Sequence, residues 1–405
     1  MSFNAKQVTR RTFVGGAGLA IAAGLVACGG KSTTKGGTSG TSSEDRSGNV
    51  YWLNFKPEMD EAIQSLGKKY MEKYPKVKVK IVTAASGTYT QTLTSEMDKQ
   101  GAPTLFVIGN MEGVKTWSDY AMDLKDTAIA KELSTDDYNL TDDSGKLVSI
   151  PYNYEAFGIA VNTELVEKAG HKMDDIKDFN SLKKVVEDIH SRASELGFDA
   201  FVATDMDDSS SWRVTGHLTN IVCYYDSRDA GGWKQAPATI SDKYIPNYKN
   251  LYDLAINNST VAPNALATGG HDPMTEFTGK KAAFIFSGSF NYADIKKGGV
   301  TSTACIPYYC GVQGEEKAGL NCGTENRWAI NDNASEEDKQ ATMDFMVWLV
   351  TDPDAAAAMV AANGTMPYKQ TPEGDNPYLN DAKKYSDAGN YIMDWDFSYT
   401  PNVDD

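Results

Sequence analysis

Between residues 50 and 108 the hydrophobic period switches back and forth between that of a strand and that of a helix. Val50-Tyr51-Trp52-Leu53 is a short apolar run of strand type. From Pro57 to Tyr74, the residues Met59, Ala62, Ile63, Leu66, Tyr70, Met71 and Tyr74 recur at steps of three and four, the stripe of one helix face. Pro57 suits the first turn of that helix and Pro75 ends it. Val77, Val79 and Ile81 then alternate with lysines at the strand period. A second helix fits 88–100, Gly101-Ala102-Pro103 breaks it, and Thr104–Ile108 reads as a buried strand. Strands and helices in strict alternation with short links predict a parallel sheet built from right-handed crossovers, an α/β fold.

The pattern continues along the chain. Strand-like runs fall at 146–151, 156–162, 198–203, 282–286 and 326–331. Helical stretches fall at 181–197, 212–225, 246–257, 273–280, 335–351 and 353–362. At 405 residues the chain exceeds the ~250–300 at which a single core stops growing, so two lobes are expected. The formal charge of −16 repels phosphate backbones and anionic headgroups, which argues against nucleic acid and against a basic membrane-binding face. With 21 Tyr, 14 Phe and 7 Trp, the chain must bury most of its aromatic rings or display some for stacking.

The first 27 residues read as an export signal and not as fold. Arg10-Arg11-Thr12-Phe13 resembles a twin-arginine start, an apolar run follows to Val26, and Leu25-Val26-Ala27-Cys28 resembles a bacterial lipobox. The apolar run is too short for a bilayer span, which needs ~20 residues. Cys28 is thus expected to be acylated, by palmitate or a similar chain, and to become the new N-terminus. Residues 28–48, rich in Gly, Ser, Thr and charge, form a flexible tether. Such an anchor would place the protein on the outer face of the cytoplasmic membrane, and a bacterium without an outer membrane is expected.

The other cysteines, Cys223, Cys305, Cys310 and Cys322, contain no C-x-x-C pair, and the four histidines show no metal-ligand spacing. One disulfide and none are both open, no metal or cofactor is expected, and each histidine suits a surface or capping position. Asp205-Met206-Asp207-Asp208 fails the calcium-loop pattern, with Ser210 and Gly216 at the sixth and twelfth places. There is no G-x-S-x-G, H-E-x-x-H or Walker loop.

The order of several pieces resembles the family 1 extracellular solute-binding proteins, the maltose-binding-protein type of ABC importer receptor. These pieces are Glu72–Val79, Gly145–Tyr152 followed by Phe157–Asn162, Phe277–Phe284 with Ser287–Phe290, and Trp328–Asn331 followed by Met343–Leu349. The resemblance covers nearly all of residues 50–370. It implies a two-lobe, type II periplasmic-binding-protein-like fold, each lobe a mostly parallel sheet flanked by helices, joined by a hinge and closing on a ligand. By resemblance, lobe one is 49–155 with 281–323, and lobe two is 156–280 with 324–405. It also implies a monomeric, lipid-anchored receptor that binds a carbohydrate, an oligosaccharide above all, and delivers it to ABC permease subunits. A non-sugar solute receptor and an exported polysaccharide-active enzyme are the alternatives; for the enzyme, no carboxylate pair can be picked from the sequence.

Sugars are held by aromatic faces and by planar hydrogen-bonding groups, and α/β clefts form at the carboxyl ends of strands. Candidate ligand-binding residues are therefore those that follow strands. Lys56 and Glu58 follow the first, although Glu58 also suits a helix start. Tyr89 follows the second and Asn110 the third. Tyr154 and Glu155 lie between the two crossing strands that the resemblance puts at the cleft floor. Trp212 and Trp233 are stacking candidates on lobe two, with core packing the alternative. Ser289 and Asn291 follow the strand at 282–286, and Glu325, Asn326 and Arg327 precede a late strand. Trp395-Asp396 could form a lid; Trp52 and Trp348 read as core.

Overall fold

The computed structural model describes residues 46–85, 87–207, 209–232 and 239–395. The leader, Cys28 and most of the tether lie outside the described residues, as does Trp233. Two six-stranded sheets organise the chain. The first contains β1 (Gly48–Asn54), β2 (Val77–Thr83), β3 (Leu105–Val107), β4 (Leu140–Thr141), β5 (Leu147–Pro151) and β11 (Arg327–Ile330), in the order β2-β1-β3-β11-β5-β4. The second contains β6 (Glu155–Asn162), β7 (Asp199–Phe201), β8 (Ala282–Gly288), β9 (Thr303–Ile306), β10 (Ala318–Gly323) and β12 (Tyr391–Trp395), in the order β12-β10-β6-β8-β7, with β9 also paired to β6.

The expected parallel unit is present at the start. β1 pairs in parallel with β2, Trp52 opposite Ile81, and with β3 on its other side. The helix Asp60–Lys73 buries Ile63, Leu66 and Tyr70, and its Gly67 lets the backbone approach Val79 and Ile81. Strand directions are mostly shared within each sheet, and the exceptions are informative. In the second sheet β6 alone runs against β8, β9 and β10. In the first, β11 runs against β3 and β5, and the short β4 runs against β5. Of these, β6 and β11 are the strands by which the chain enters the other lobe.

The crossings sit side by side. The chain leaves β5 through Tyr152-Asn153-Tyr154 into β6, and returns from β10 through Thr324-Glu325-Asn326 into β11. The Tyr152 amide donates to the Asn326 carbonyl at 2.9 Å, and the Thr324 hydroxyl donates to Asn153 Oδ1 at 2.8 Å. Gly323 pairs with Glu155 and Arg327 with Pro151 across the same junction. A third passage follows the helix Pro353–Asn363: Met366 and Tyr368 pack on the first core, whereas Tyr378 of the helix Pro377–Asp387 packs on the second lobe.

The lobe boundaries differ from the expectation after residue 280. No crossing occurs at 281; β8, β9 and β10 all stay in the second sheet. The segment 324–368 therefore returns to the first lobe, where Trp328, Phe345 and Leu349 join its core, and only the C-terminal part rejoins the second. Ala282–Phe286 is apolar on both faces and fits any sheet centre, so its composition does not say which one. The tether also ends earlier than residue 48: Arg46 pairs with Asp344 at 3.3 Å and Ser47 with Glu337 at 2.6 Å, both on the helix Glu336–Thr351. The four cysteines of the fold are buried and free. Among the described residues no single helix is long and apolar enough to cross a membrane; the bent pair Glu336–Thr351 and Pro353–Ala362 passes only when combined.

β6 is crowded enough to test this topology. A Cβ on Gly158 would lie 2.3 Å from the Ile306 carbonyl oxygen in β9, so backbone must shift to admit it. Gly158→Ala is expected to cost about 1–3 kcal/mol, read as a lower urea midpoint with unchanged slope.

Candidate functional site

The loop after β1 is braced by its own sequence. Asn54 Oδ1 accepts the Lys56 amide at 3.1 Å, while its Nδ2 donates to the Lys56 carbonyl at 2.7 Å and to Thr83 Oγ1 at 3.0 Å. This bracket directs Lys56 toward the other lobe. Its ammonium pairs with Glu58 at 2.9 Å and with Glu155, the first residue of β6. Asn153 Nδ2 donates to the same Glu155 oxygen at 3.0 Å. Lys56 is 5% exposed and Glu155 1%, so the pair is taken out of water. Burial works against the ammonium, but the carboxylates of Glu155 and Glu58 outweigh it and hold the Lys56 pKa above its usual value.

Lys56 also meets the aromatic part of the second lobe, its Nζ lying 5.5 Å from the Phe290 ring centre. Phe290 packs edge-to-face against Trp212 at 5.8 Å, and His217 lies between them and Phe157. His217 stacks on Phe157 at 4.2 Å and meets Trp212 at 4.9 Å and Trp395 at 4.8 Å edge-on. Burial, reinforced by the positive charges of Arg213 and Lys56, pushes the His217 pKa down to about 3, so the imidazole is neutral near pH 7. Arg213 opens the short π-helical turn Arg213–His217 and places its guanidinium 4.2 Å from the Trp212 ring centre. Burial lowers its pKa to about 10, which leaves it a cation at neutral pH. First-lobe charges thus meet a second-lobe aromatic cluster at the hinge. Among the described residues no group of His, Cys, Asp or Glu could hold a metal ion.

The structure brings together Lys56, Glu58, Glu155 and Trp212 of the residues chosen from sequence, with Asn326 and Glu325 on the adjoining crossing. Trp212 is half-buried and its Nε1 donates to the Ser209 carbonyl at 3.0 Å. Asn326 is buried, and its Nδ2 has no hydrogen-bond partner among the described residues. Other candidates have different duties. Tyr89 lies in the first core, where its hydroxyl accepts the Val107 amide at 2.8 Å and donates to the Leu53 carbonyl at 3.3 Å, joining β1 to β3. Asn110 caps the helix Met111–Trp117 through the Gly113 amide at 2.8 Å. Tyr154 packs against Tyr138 at 5.3 Å. Ser289 is buried and accepts the Ala156 amide at 3.1 Å, and Asn291 accepts the Ser287 hydroxyl at 2.9 Å. Arg327 is buried and donates to the carbonyls of Tyr138 and Gly109. Trp395 is buried in the second core and is no lid.

Sequence reasoning missed Asn153, Arg213, His217 and Phe290. Arg213 and Phe290 adjoin chosen residues and could have been taken with them. His217 is deeply packed and not at the surface, and nothing local marks it.

Two mixed sheets joined by paired crossings, with charged groups of one lobe facing aromatic groups of the other, define a two-lobe, type II binding protein of the maltose-binding-protein kind. The model for bacterial extracellular solute-binding proteins matches residues 65–383, and the chain belongs to that family. No curated protein matches its sequence. Among solved structures, RafE in complex with raffinose shares the fold at a TM-score of 0.67 and 17% identity, over 86% of this chain and 90% of that one. Apo RafE from Streptococcus pneumoniae gives 0.62 and 18%, over 88% and 90%. The GacH receptor of Streptomyces glaucescens, solved unliganded and with acarbose, gives 0.59 and 17%, over 87% and 88%. Family and neighbours are binding proteins.

Removing Lys56 strands two carboxylates, one of them deeply buried. Lys56→Met is expected to lose about 3–5 kcal/mol in urea unfolding, and adding Glu155→Gln to recover part of it. His217 makes the fold acid-sensitive. Its folded pKa of about 3 lies below the ordinary 6.5, so the unfolded chain takes up the proton first and stability falls as pH drops from 6.5 toward 3. Between pH 7 and 5, wild type should lose about 2 kcal/mol more than His217→Phe.

Proposed function

We propose that this protein is the receptor of an ABC importer, holding a carbohydrate between its lobes and delivering it to the permease. The supporting observation is the junction itself, where Lys56, held by Glu58 and Glu155, lies 5.5 Å from the Phe290 ring, which in turn packs on Trp212 and His217. Sugar recognition uses this pairing: planar polar groups take the hydroxyls, and an aromatic face takes the C–H side of the ring. Trp212, half-buried, is the platform; Glu58, Glu325 and Asn291 keep partial exposure, and the amide of Asn326 supplies donors. Structural neighbours solved with stachyose, from Bacillus licheniformis, and with mannobiose, from Bifidobacterium animalis, support the carbohydrate class and the oligosaccharide length.

The segments 152–154 and 324–326 act as the hinge. A ligand that touches both lobes favours the closed arrangement by its extra contacts there, and the permease reads that arrangement. The protein stands as a monomer on the outer face of the cytoplasmic membrane, held by acyl chains on Cys28. A single chain would hold only marginally, whereas two or more hold firmly.

Calorimetric titration with raffinose-type, manno-, malto- and chito-oligosaccharides should give saturable binding of at least one, recovered uncleaved. Trp212→Ala should weaken that binding by about 1–3 kcal/mol. Binding of no glycan, or cleavage of one, contradicts the proposal. In cells, Cys28→Ala should move the protein from the membrane fraction to the medium; retention on the membrane contradicts the anchor.

A further inference from the structure

Arg213 is buried, yet among the described residues no carboxylate lies within ion-pair distance of it, and its Nε has no hydrogen-bond partner. A buried cation with no carboxylate in contact is costly to keep. The nearby acid, Asp272, favours the charge of the guanidinium from a distance, but its oxygens are engaged elsewhere. It caps the helix Pro273–Thr278, accepting the amides of Met274 at 3.0 Å and Thr275 at 3.1 Å and the Thr275 hydroxyl at 2.7 Å. A second buried polar group stands unpartnered within electrostatic reach of Arg213, the hydroxyl of Tyr308, itself packed against Phe157 and Phe286. Lys56 offers no spare charge, because Glu58 and Glu155 already hold it.

We propose that Arg213, assisted by the Tyr308 hydroxyl, receives a carboxylate of the ligand, so that the transported carbohydrate is an acidic oligosaccharide of the uronic-acid type. The inference rests on the carbohydrate-receptor reading above. Trp212 supports one face of the guanidinium, which leaves the N–H edge for the paired hydrogen bonds that a planar carboxylate accepts. One buried positive charge is matched by one carboxylate, whereas a phosphate ester brings nearly two negative charges and leaves about one unmatched in the buried site; the chain's net charge is −16. That net charge does not oppose a carboxylate held at contact, since exposed charges are screened beyond ~8 Å at physiological salt.

The test is calorimetry of the chain with three probes: an oligogalacturonide, the same oligosaccharide with its carboxyls reduced to alcohols, and a sugar phosphate. The uronate should bind at least about tenfold tighter than the reduced form, as two charge-assisted hydrogen bonds require. Arg213→Met should erase that preference, and Tyr308→Phe should lessen it. If Arg213→Met does not fold, the wild-type ratio and Tyr308→Phe decide. Equal or tighter binding of the reduced glycan, or of any neutral oligosaccharide over every uronate, overturns the inference and leaves the receptor reading standing. Tighter binding of the sugar phosphate overturns it as well. Binding of no glycan at all overturns both.

Discussion

The ion pair between Lys56 and Glu155 is the contact on which the arrangement of this protein turns. It joins the first loop of one lobe to the first residue of the strand that enters the other, beside the paired crossings. Withdrawing both charges from water costs several kcal/mol per ion, and a buried pair often does no better than well-packed apolar residues. Its value here is positional. Asn54 fixes the backbone from which Lys56 projects, Asn153 steadies the Glu155 carboxylate, and Glu58 adds a second partner from the adjoining turn. The result is a fixed polar surface at the lobe boundary, where the proposed ligand would lie.

Opposite that surface the second lobe supplies rings. Phe157, Trp212, His217, Phe290 and Trp395 contact one another edge-on or stacked, the geometries that ring quadrupoles favour. His217 belongs to this cluster as a neutral ring and not as a proton carrier. The two cations near it play different parts. Lys56 is saturated by carboxylates; Arg213 lies on an indole with no carboxylate in ion-pair range among the described residues.

The sequence made the elements legible where the period was clean. The alternation from Val50 to Ile108 maps onto β1, a helix, β2, a helix and β3, and the late helix expected at 335–351 is Glu336–Thr351. Lobe membership was less legible, because β8 is apolar on both faces and its pairing with β6 is a long-range fact. The meeting of Lys56, Glu58 and Glu155 at the junction was legible, since residues at strand ends and crossings converge there. It was misleading at Tyr89 and Arg327. Both follow or start a strand, but each spends its polar atoms on backbone groups of the first sheet and its neighbouring loops. The role of His217 could not be read, because its surroundings are assembled from residues 157, 212, 290 and 395.

The central claim is that one ligand is held by both lobes at this junction. Hydrogen–deuterium exchange with and without a saturating oligosaccharide tests it most directly. The account predicts added protection in segments of both lobes at once: 54–58 and 324–326 together with 212–217 and 289–291. Protection confined to one lobe, or centred away from these segments, would contradict it.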